Sequence, residues 1–229
     1  MTKKVLILGG AGFIGFNIAK KLSEQKDYEV TIADSLARGK KDDDLSSLLK
    51  KKNIRFIEGD FTDKDTFKLL KKEYDYFYML ASVVGVNNAL NNPAEVIRIN
   101  TMLILNSLEW LKEGGAKRAI FSSTSENYAG TIDKFGYKIP TPEEIPLSIV
   151  DISHPRYTYA VTKILGESGF LNYGKKFGFE SSIVRYHNVI GPRMGFKHVI
   201  PHLVERFLIN NESPFKIYGH NQTRAFCYI

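Results

Sequence analysis

Cysteine occurs once in the 229 residues, at Cys227. One thiol cannot close an internal disulfide, so a reducing, cytoplasmic setting is expected. Long apolar runs are missing too. Val5-Leu6-Ile7-Leu8 gives way at once to glycines, too soon for a signal-peptide core. No run approaches the roughly 20 apolar residues of a membrane span. Internal repeats and low-complexity tracts are absent, and no metal site is expected. Apolar residues at 43% and charged residues at 25% suit a soluble globular chain, long enough for one well-buried domain with a small appendage. The net charge of +7 raises the question of a nucleic-acid surface. The lysines, however, fall in short runs (Lys50-Lys51-Lys52, Lys71-Lys72, Lys175-Lys176) interleaved with Asp and Glu. They read as solvated helix ends and loops, and their excess could help attract an anionic, diphosphate-bearing substrate.

What is present is alternation. Up to residue 130, short β-branched runs exchange with longer amphipathic ones, the pattern of βαβ units around a parallel sheet. Strands are expected over 4–8, 29–33, 54–58, 76–81, 118–122 and 181–185. Helices are expected over 13–25, 93–112, 157–177 and 200–209, with Pro93 in a first turn and Gly114 and Gly178 as stops. Residues 130–155 are polar and carry Pro140, Pro142, Pro146 and Pro155, so they read as a loop that serves as lid or substrate wall. After Gly191 the pattern becomes irregular.

Gly9-x-x-Gly12-x-x-Gly15 follows the first expected strand and opens the first helix. Glycines there let the backbone turn tightly and approach a pyrophosphate, whose charge the helix N-terminus favours. Asp34, at the end of the second strand, is placed to take both ribose hydroxyls of a dinucleotide. Its charge repels a 2′-phosphate, which selects NAD over NADP. Arg38 pulls the other way, since a guanidinium accepts such a phosphate. Asp60 suits either an adenine amino group or a helix cap ahead of Thr62-Asp63.

Tyr159-Ala160-Val161-Thr162-Lys163 puts a phenol and an ammonium at i and i+4 on one helix face. The ammonium, together with a positive nicotinamide, is expected to lower the Tyr159 pKa from its usual value near 10. The phenolate would then be a general base for a secondary alcohol. Such a pair is common by chance on exposed helices, and the glycine motif upstream gives it meaning. Ser122-Ser123-Thr124-Ser125-Glu126 begins at the end of the fifth strand, where ligands bind in open α/β sheets. Thr124 could hydrogen-bond the oxygen being deprotonated, and Glu126 could move a second proton. The competing role for these hydroxyls is turn capping.

Taken in order, Gly-Gly-Ala-Gly-Phe-Ile-Gly, Asp34-Ser35-Leu36, Gly59-Asp60, Leu80-Ala81, Asn100, Ser-Ser-Thr, Tyr-x-x-x-Lys and Arg185-Tyr186-His187-Asn188-Val189-Ile190-Gly191-Pro192-Arg193 resemble the extended short-chain dehydrogenase/reductase superfamily. The likeness is to its nucleotide-sugar epimerase, dehydratase and decarboxylase branch, and it runs from Lys4 to Ile229. The resemblance implies an α/β fold: a Rossmann-type doubly wound parallel sheet over 1–190, then the beginning of a small C-terminal substrate lobe over 191–229. It implies NAD as cofactor and catalytic roles for Thr124, Tyr159 and Lys163, to which the position of Glu126 adds a fourth candidate. Cofactor contacts are implied for Gly9, Gly12, Phe13, Ile14, Gly15, Asp34, Ser35, Arg38, Asp60, Phe61, Leu80, Ala81, Ser82 and Asn100, besides Tyr159 and Lys163. Substrate contacts are implied for Val83, Ser125, Asn188, Arg193 and Arg224. His187 stands where many members carry Phe, and reads as a wall residue. The helices from Pro93 and Tyr157 carry apolar faces beyond what one sheet surface needs, and in the family such helices pair across a two-fold axis. A homodimer is therefore expected, with a nucleotide-diphosphate sugar as substrate and neither nucleic acid nor membrane as partner.

Members that eliminate water usually show Asp-Glu after the threonine, whereas Ser125-Glu126 lacks the first acid. Thr-Ser-Glu, Gly-Pro-Arg-Met and Gln222-Thr223-Arg224-Ala225-Phe226 also resemble the glucuronate decarboxylase group, although Asn127 and Ala129 replace its usual valine and glycine. The expected activity is an NAD-dependent nucleotide-sugar epimerase acting through a 4-keto sugar. A 4,6-dehydratase, a UDP-glucuronate-type decarboxylase and a C4 dehydrogenase are the alternatives. Members normally continue past a segment like Phe226-Cys227-Tyr228-Ile229, so the substrate lobe is expected to be incomplete. An NAD-binding module without turnover is the alternative of another class.

Overall fold

β1 (Lys3–Leu8) shows why the chain layers as it does. Val5 and Ile7 belong to one apolar cluster, Leu6 and Leu8 to the other, and all four are sealed from water. Successive side chains of a strand point to opposite faces, so a strand apolar at every position is one that needs cover on both sides. The structure, a computed structural model, describes residues 1–38, 41–195, 198–217, 219–221 and 223–229. It divides into two compact units, Met1–Arg185 and Tyr186–Ile229.

In the first unit β1 is followed by α1 (Phe13–Ser23), β2 (Tyr28–Asp34), α2 (Asp43–Leu48), β3 (Ile54–Glu58), β4 (Tyr74–Met79), α3 (Val86–Asn91), α4 (Pro93–Lys112), β5 (Ala116–Thr124), α5 (Ala129–Phe135), α6 (Thr158–Phe177) and β6 (Glu180–Tyr186). The sheet order is β3-β2-β1-β4-β5-β6, with β3–β2, β2–β1, β1–β4 and β4–β5 all parallel. This is the expected doubly wound arrangement. Its order reverses direction between β1 and β4, the switch point where open α/β sheets bind ligands. The apolar side of α1 (Phe16, Ala19) packs with Val5, Ile7, Val30 and Ile32. On the other face, Leu103, Ile104 and Leu108 of α4 and Phe170 of α6 pack with Leu6, Leu8, Phe77 and Phe121.

Strand β4 ends at Met79 rather than at the expected residue 81. The N–H groups of Leu80 and Ala81 both reach Leu8 O (2.9 Å each), so the chain turns away there. Short helices went unread in the sequence, because α2, α3 and α5 are too short to show a period. Residues 130–155 are not all loop: α5 takes up the start, and Thr131 Oγ1 donates to Pro146 O (2.5 Å) while Gly130 N–H donates to Ser148 O (3.0 Å). The expected helix from residue 157 begins at Thr158, after a single 3-10 turn over Pro155–Tyr157.

The second unit holds β7 (Asn188–Ile190), α7 (Val199–Val204) continued by a π turn over Glu205–Ile209, and β8 (Phe226–Tyr228). β7 and β8 pair in parallel, Asn188 opposite Phe226 and Ile190 opposite Tyr228. Both strands lie within the unit Tyr186–Ile229. Three-residue strands carry too little pattern to be seen in the sequence. Among the described residues no helix is long and apolar enough to cross a membrane, and no group of three or more His, Cys, Asp and Glu side chains could hold a metal ion.

Helix α6 lies close on the sheet because Gly166 faces the Phe121 ring, which a Cβ at that position would overlap. The Phe121 and Phe170 rings stack beneath it, centroids 4.8 Å apart. A Gly166→Ala variant is therefore expected to lose about 1–3 kcal/mol of stability to overpacking, read by urea denaturation. An unchanged midpoint would show that the helix can lift from β5 at no cost.

Candidate active site

The loop between β1 and α1 has room only for hydrogen at key positions. Gly9 has φ +84°, and a Cβ there would stand 2.6 Å from Ala81 N. One on Gly15 would stand 2.5 Å from Gly9 O and 2.6 Å from Gly10 Cα. Gly12 donates its N–H to Gly9 O (3.2 Å), and α1 starts at the next residue with no side-chain cap and no acid in its first turn. First-turn N–H groups have no partner inside a helix, and their end of the helix dipole is positive. Phe13, Ile14 and Gly15 thus make a tight, uncapped N-terminus that fits the pyrophosphate of a dinucleotide.

Asp34 is wired to this loop. Its Oδ2 accepts the Ala11 N–H (3.0 Å) and its Oδ1 the Leu36 N–H (2.8 Å). A carboxylate has about four acceptor positions, so capacity remains for ribose hydroxyls. Ser35 and Arg38 follow on the exposed segment after β2. Asp60 Oδ1 accepts both the N–H (2.9 Å) and the hydroxyl (2.8 Å) of Thr62, a local turn. The helical turn beyond is capped by Asp63, not Asp60. Phe61, beside Asp60, is buried in the core against Phe67, its ring 5.2 Å away.

Asn100 braces the chain beyond β4. Its Oδ1 accepts the Val83 N–H (2.7 Å), its Nδ2 donates to Val83 O (3.1 Å), and the same nitrogen lies 3.4 Å from Thr162 Oγ1. The amide expected on the cofactor is engaged in holding the Leu80-Ala81-Ser82-Val83 segment after β4. Asn100 thereby fixes the course of the chain at Val83.

Where β5 ends, α6 meets it with three side chains spaced four residues apart. Tyr159 is half-buried in the first turn of α6. Lys163, 2% exposed, donates from Nζ to Ser122 O (2.8 Å) and lies 3.5 Å from Ser122 Oγ. The same ammonium stands 5.0 Å from the Phe121 ring centroid and 5.6 Å from that of Tyr159. Glu167 accepts from Ser123 Oγ (2.5 Å). Thr124 is a capping residue, as its competing role required: Oγ1 accepts the Glu126 N–H (3.2 Å). That bond uses the oxygen and leaves the O–H able to donate. Ser122 and Ser123 do not cap; they anchor α6. Ser125 and Glu126, half-buried, open the 3-10 turn that follows.

In the chain by itself, burial dominates the electrostatics of this pair. Burial pushes the Tyr159 phenol above its ordinary range, the negative charge of Glu126 pushes the same way, and Arg38 opposes both. Burial also pushes Lys163 down, to about 7. Arg38 is the cation that opposes the rise at Tyr159, while Lys163 directs its hydrogen bonds to β5. Nothing in the spacing of Tyr159 and Lys163 reveals this, because it depends on how deeply α6 is seated.

The first unit brings together the glycine loop, Asp34, Arg38, the Leu80–Val83 segment, Thr124, Ser125, Glu126, Tyr159 and Lys163. Asn188, Arg193 and Arg224 belong to the second unit. There Asn188 Nδ2 donates to Ala225 O (3.0 Å), Arg193 has a left-handed φ of +70°, and Arg224 is exposed just ahead of β8. Gln222 lies outside the described residues. His187 is exposed. Sequence reading missed Glu167 and Arg185 as a pair. The signal for Glu167 was available, one turn beyond Lys163 on the same helix face.

The sequence model of the NAD dependent epimerase/dehydratase family matches residues 5–229. A UDP-N-acetyl-alpha-D-glucosaminuronate decarboxylase of Bacillus cytotoxicus is 32% identical over 235 residues, spanning 100% of this chain and 68% of its own length. The solved UDP-N-acetylglucosamine 4-epimerase from Methanobrevibacter ruminantium, in complex with UDP-N-acetylmuramic acid, superposes with a TM-score of 0.83 at 29% identity, over 99% of this chain and 69% of that one. The UDP-glucuronic acid 4-epimerase from Bacillus cereus, solved with UDP-glucuronic acid and NAD, gives 0.80 at 27% identity, over 98% and 69%. This chain thus spans about two thirds of the length of these proteins.

The depth of Lys163 has a measurable consequence. Unfolded, this lysine holds its proton up to about pH 10.5; folded, it releases it near pH 7. Between those values the unfolded chain binds more protons, so stability attributable to Lys163 rises as pH rises through this window. From pH 7 to 9 the wild type should gain on the order of 1–3 kcal/mol relative to Lys163→Met in urea denaturation. Parallel pH responses in the two would show that the lysine keeps an ordinary pKa.

Proposed function

The chain belongs to the NAD dependent epimerase/dehydratase family, and we propose that it is an NAD-dependent nucleotide-sugar 4-epimerase acting through a 4-keto sugar. The observation that carries this reading is the seating of Tyr159 and Lys163 on one face of α6, against the Ser122–Thr124 end of β5. Sheet topology sets that end beside the glycine loop of β1 through β4.

NAD, when bound, supplies a hydride acceptor and a positive charge. The tight Gly9–Gly15 loop and the uncapped start of α1 bind its pyrophosphate, and Asp34 takes a ribose. Tyr159 receives the proton of the sugar hydroxyl and returns it. Thr124, its hydroxyl oriented by the bond from Glu126 N–H, donates to the same sugar oxygen. Lys163 holds the first turn of α6 against Ser122 and sets the depth of the phenol. Residues 80–83, fixed by Asn100, line the wall opposite. Asn188, Arg193 and Arg224 are assigned to the nucleotide and diphosphate, the +7 charge of the chain favouring such an anion.

One observation favours a second reading. Glu126 stands close enough to Tyr159 to raise its pKa, and the Thr-Ser-Glu sequence that places it also occurs in uronate decarboxylases by the resemblance. The Bacillus cytotoxicus relative carries a decarboxylase name. Epimerisation remains first, because no residue here is assigned to a uronate carboxylate.

We further propose a homodimer. Ile97, Met102 and Leu105 of α4, and Val161, Leu165 and Leu171 of α6, are all exposed. Ile97 and Leu105 lie two turns apart, and Val161 and Leu165 one, so each helix presents an apolar row. A cytoplasmic setting accords with the single, exposed Cys227.

Product mass, absorbance, turnover and light scattering test these assignments. Incubated with nucleotide sugars, the protein should give a product of unchanged mass and a transient NADH-like absorbance. Loss of CO2 would select the decarboxylase, loss of water a dehydratase, and NAD binding without sugar binding a non-catalytic module. Tyr159→Phe should reduce turnover by about 100-fold or more; normal turnover would remove Tyr159 from the chemistry. Separately, light scattering should give a dimer, and Leu105→Glu with Leu165→Glu should give a monomer. A wild-type monomer would overturn the interface.

A further inference from the structure

Glu167 and Arg185 stand outside the chemistry just described, yet four segments of the chain converge on them. The Glu167 carboxylate accepts from Arg185 Nε (2.9 Å) and Nη2 (2.6 Å), from Ser123 Oγ (2.5 Å) and from Asn127 Nδ2 (2.9 Å). Arg185 Nη1 donates in turn to Tyr128 OH (2.9 Å) and to Glu143 O (2.9 Å), and its guanidinium lies 5.1 Å from the Tyr128 ring centroid. Burial alone would push the Glu167 carboxyl up, but the bonds from Arg185, Ser123 and Asn127 together hold it below its ordinary value. The charged form is therefore the one the fold is built around.

A buried ion pair is weak grounds for stability, since well-packed apolar side chains often serve as well. What apolar side chains cannot supply is direction. A guanidinium offers donors in a rigid fork, and here the fork points at once to α6, to the turn after β5 and to the backbone of the segment beyond α5. The turn it grips begins at Thr124 and contains Glu126. The helix it grips carries Tyr159 two turns before Glu167.

We propose that Arg185 and Glu167 are positioning residues that fix the Thr124–Glu126 turn and the segment through Glu143 against the α6 face carrying Tyr159. The role in turnover rests on the nucleotide-sugar reading above; the mechanical role does not.

The test compares wild type with Arg185→Met, Arg185→Lys and Tyr128→Phe in the full chain, by hydrogen–deuterium exchange, NAD calorimetry and steady-state turnover of a nucleotide sugar. For Arg185→Met, exchange at residues 125–149 should rise about tenfold or more. NAD affinity should stay within about twofold, and kcat should fall about tenfold or more while KM changes less. Arg185→Lys keeps the charge without the fork and should fall between Met and wild type. If Arg185→Met does not fold, Tyr128→Phe removes one tie of the guanidinium and carries the same expectations at smaller size. Unchanged exchange at 125–149 in variants that fold overturns the proposal, and so does faster exchange with kcat intact. A wild type that converts no nucleotide sugar sinks the functional reading instead, and the exchange comparison then decides the clamp by itself.

Discussion

An ammonium sealed from water must find its hydrogen bonds in the protein. Lys163 finds them at Ser122, on the last turn of chain before β5 ends. Much else follows from that one bond. For the lysine to reach the carbonyl, α6 must lie close on the sheet, which requires a residue without a side chain over the Phe121 ring. Gly166 is that residue. With α6 so seated, its first turn places the Tyr159 ring 5.6 Å from the Lys163 ammonium nitrogen that is tied to β5. The next turn beyond Lys163 delivers Glu167 to Ser123. Polar rungs and an aromatic stack thus set the register between helix and strand together, and neither would do so alone: the stack is tolerant of sliding, and a single rung is tolerant of tilt.

Long, strongly patterned elements were legible in the sequence, and the physical reason is length. β1, with two apolar faces, and α4, with Pro93 at its first turn and Gly114 after its end, carry their own boundaries in residue chemistry. The left-handed Gly178 stops α6 as anticipated. The short helices α2, α3 and α5 and the three-residue strands β7 and β8 were not legible. A parallel pair such as Asn188–Ile190 with Phe226–Tyr228 depends on chain segments that meet only in space, and no local pattern announces it. Helix α5 was hidden inside a proline-bearing stretch that composition reads as loop.

The candidate site divides in the same way. Gly9, Gly15, Asp34, Tyr159 and Lys163 stand out in the sequence because each belongs to a motif whose spacing carries a chemical meaning. Their interactions were less visible. The sequence sets Lys163 and Tyr159 on one face, but does not show that burial lowers the one and raises the other, or that the lysine donates to Ser122. Asn100 was recognisable as important but not as a brace for Val83. Arg185 lies in a strand, far in sequence from every group it touches. Such roles are set by depth and by tertiary neighbours, which one sequence does not disclose.

The even spacing of Tyr159, Lys163 and Glu167 gives α6 something like a reading frame. Each residue of an α-helix advances about 100° around its axis. Adding or removing one residue between Tyr159 and Glu167 would leave a good helix, but would swing the phenol away from the face that holds the carboxylate. The stretch from Gly136 to Pro142 has no such phase to keep. Length variation between Tyr159 and Glu167 is thus closed to evolution and to engineering alike, while the stretch from Gly136 to Pro142 can grow or shrink without changing that phase.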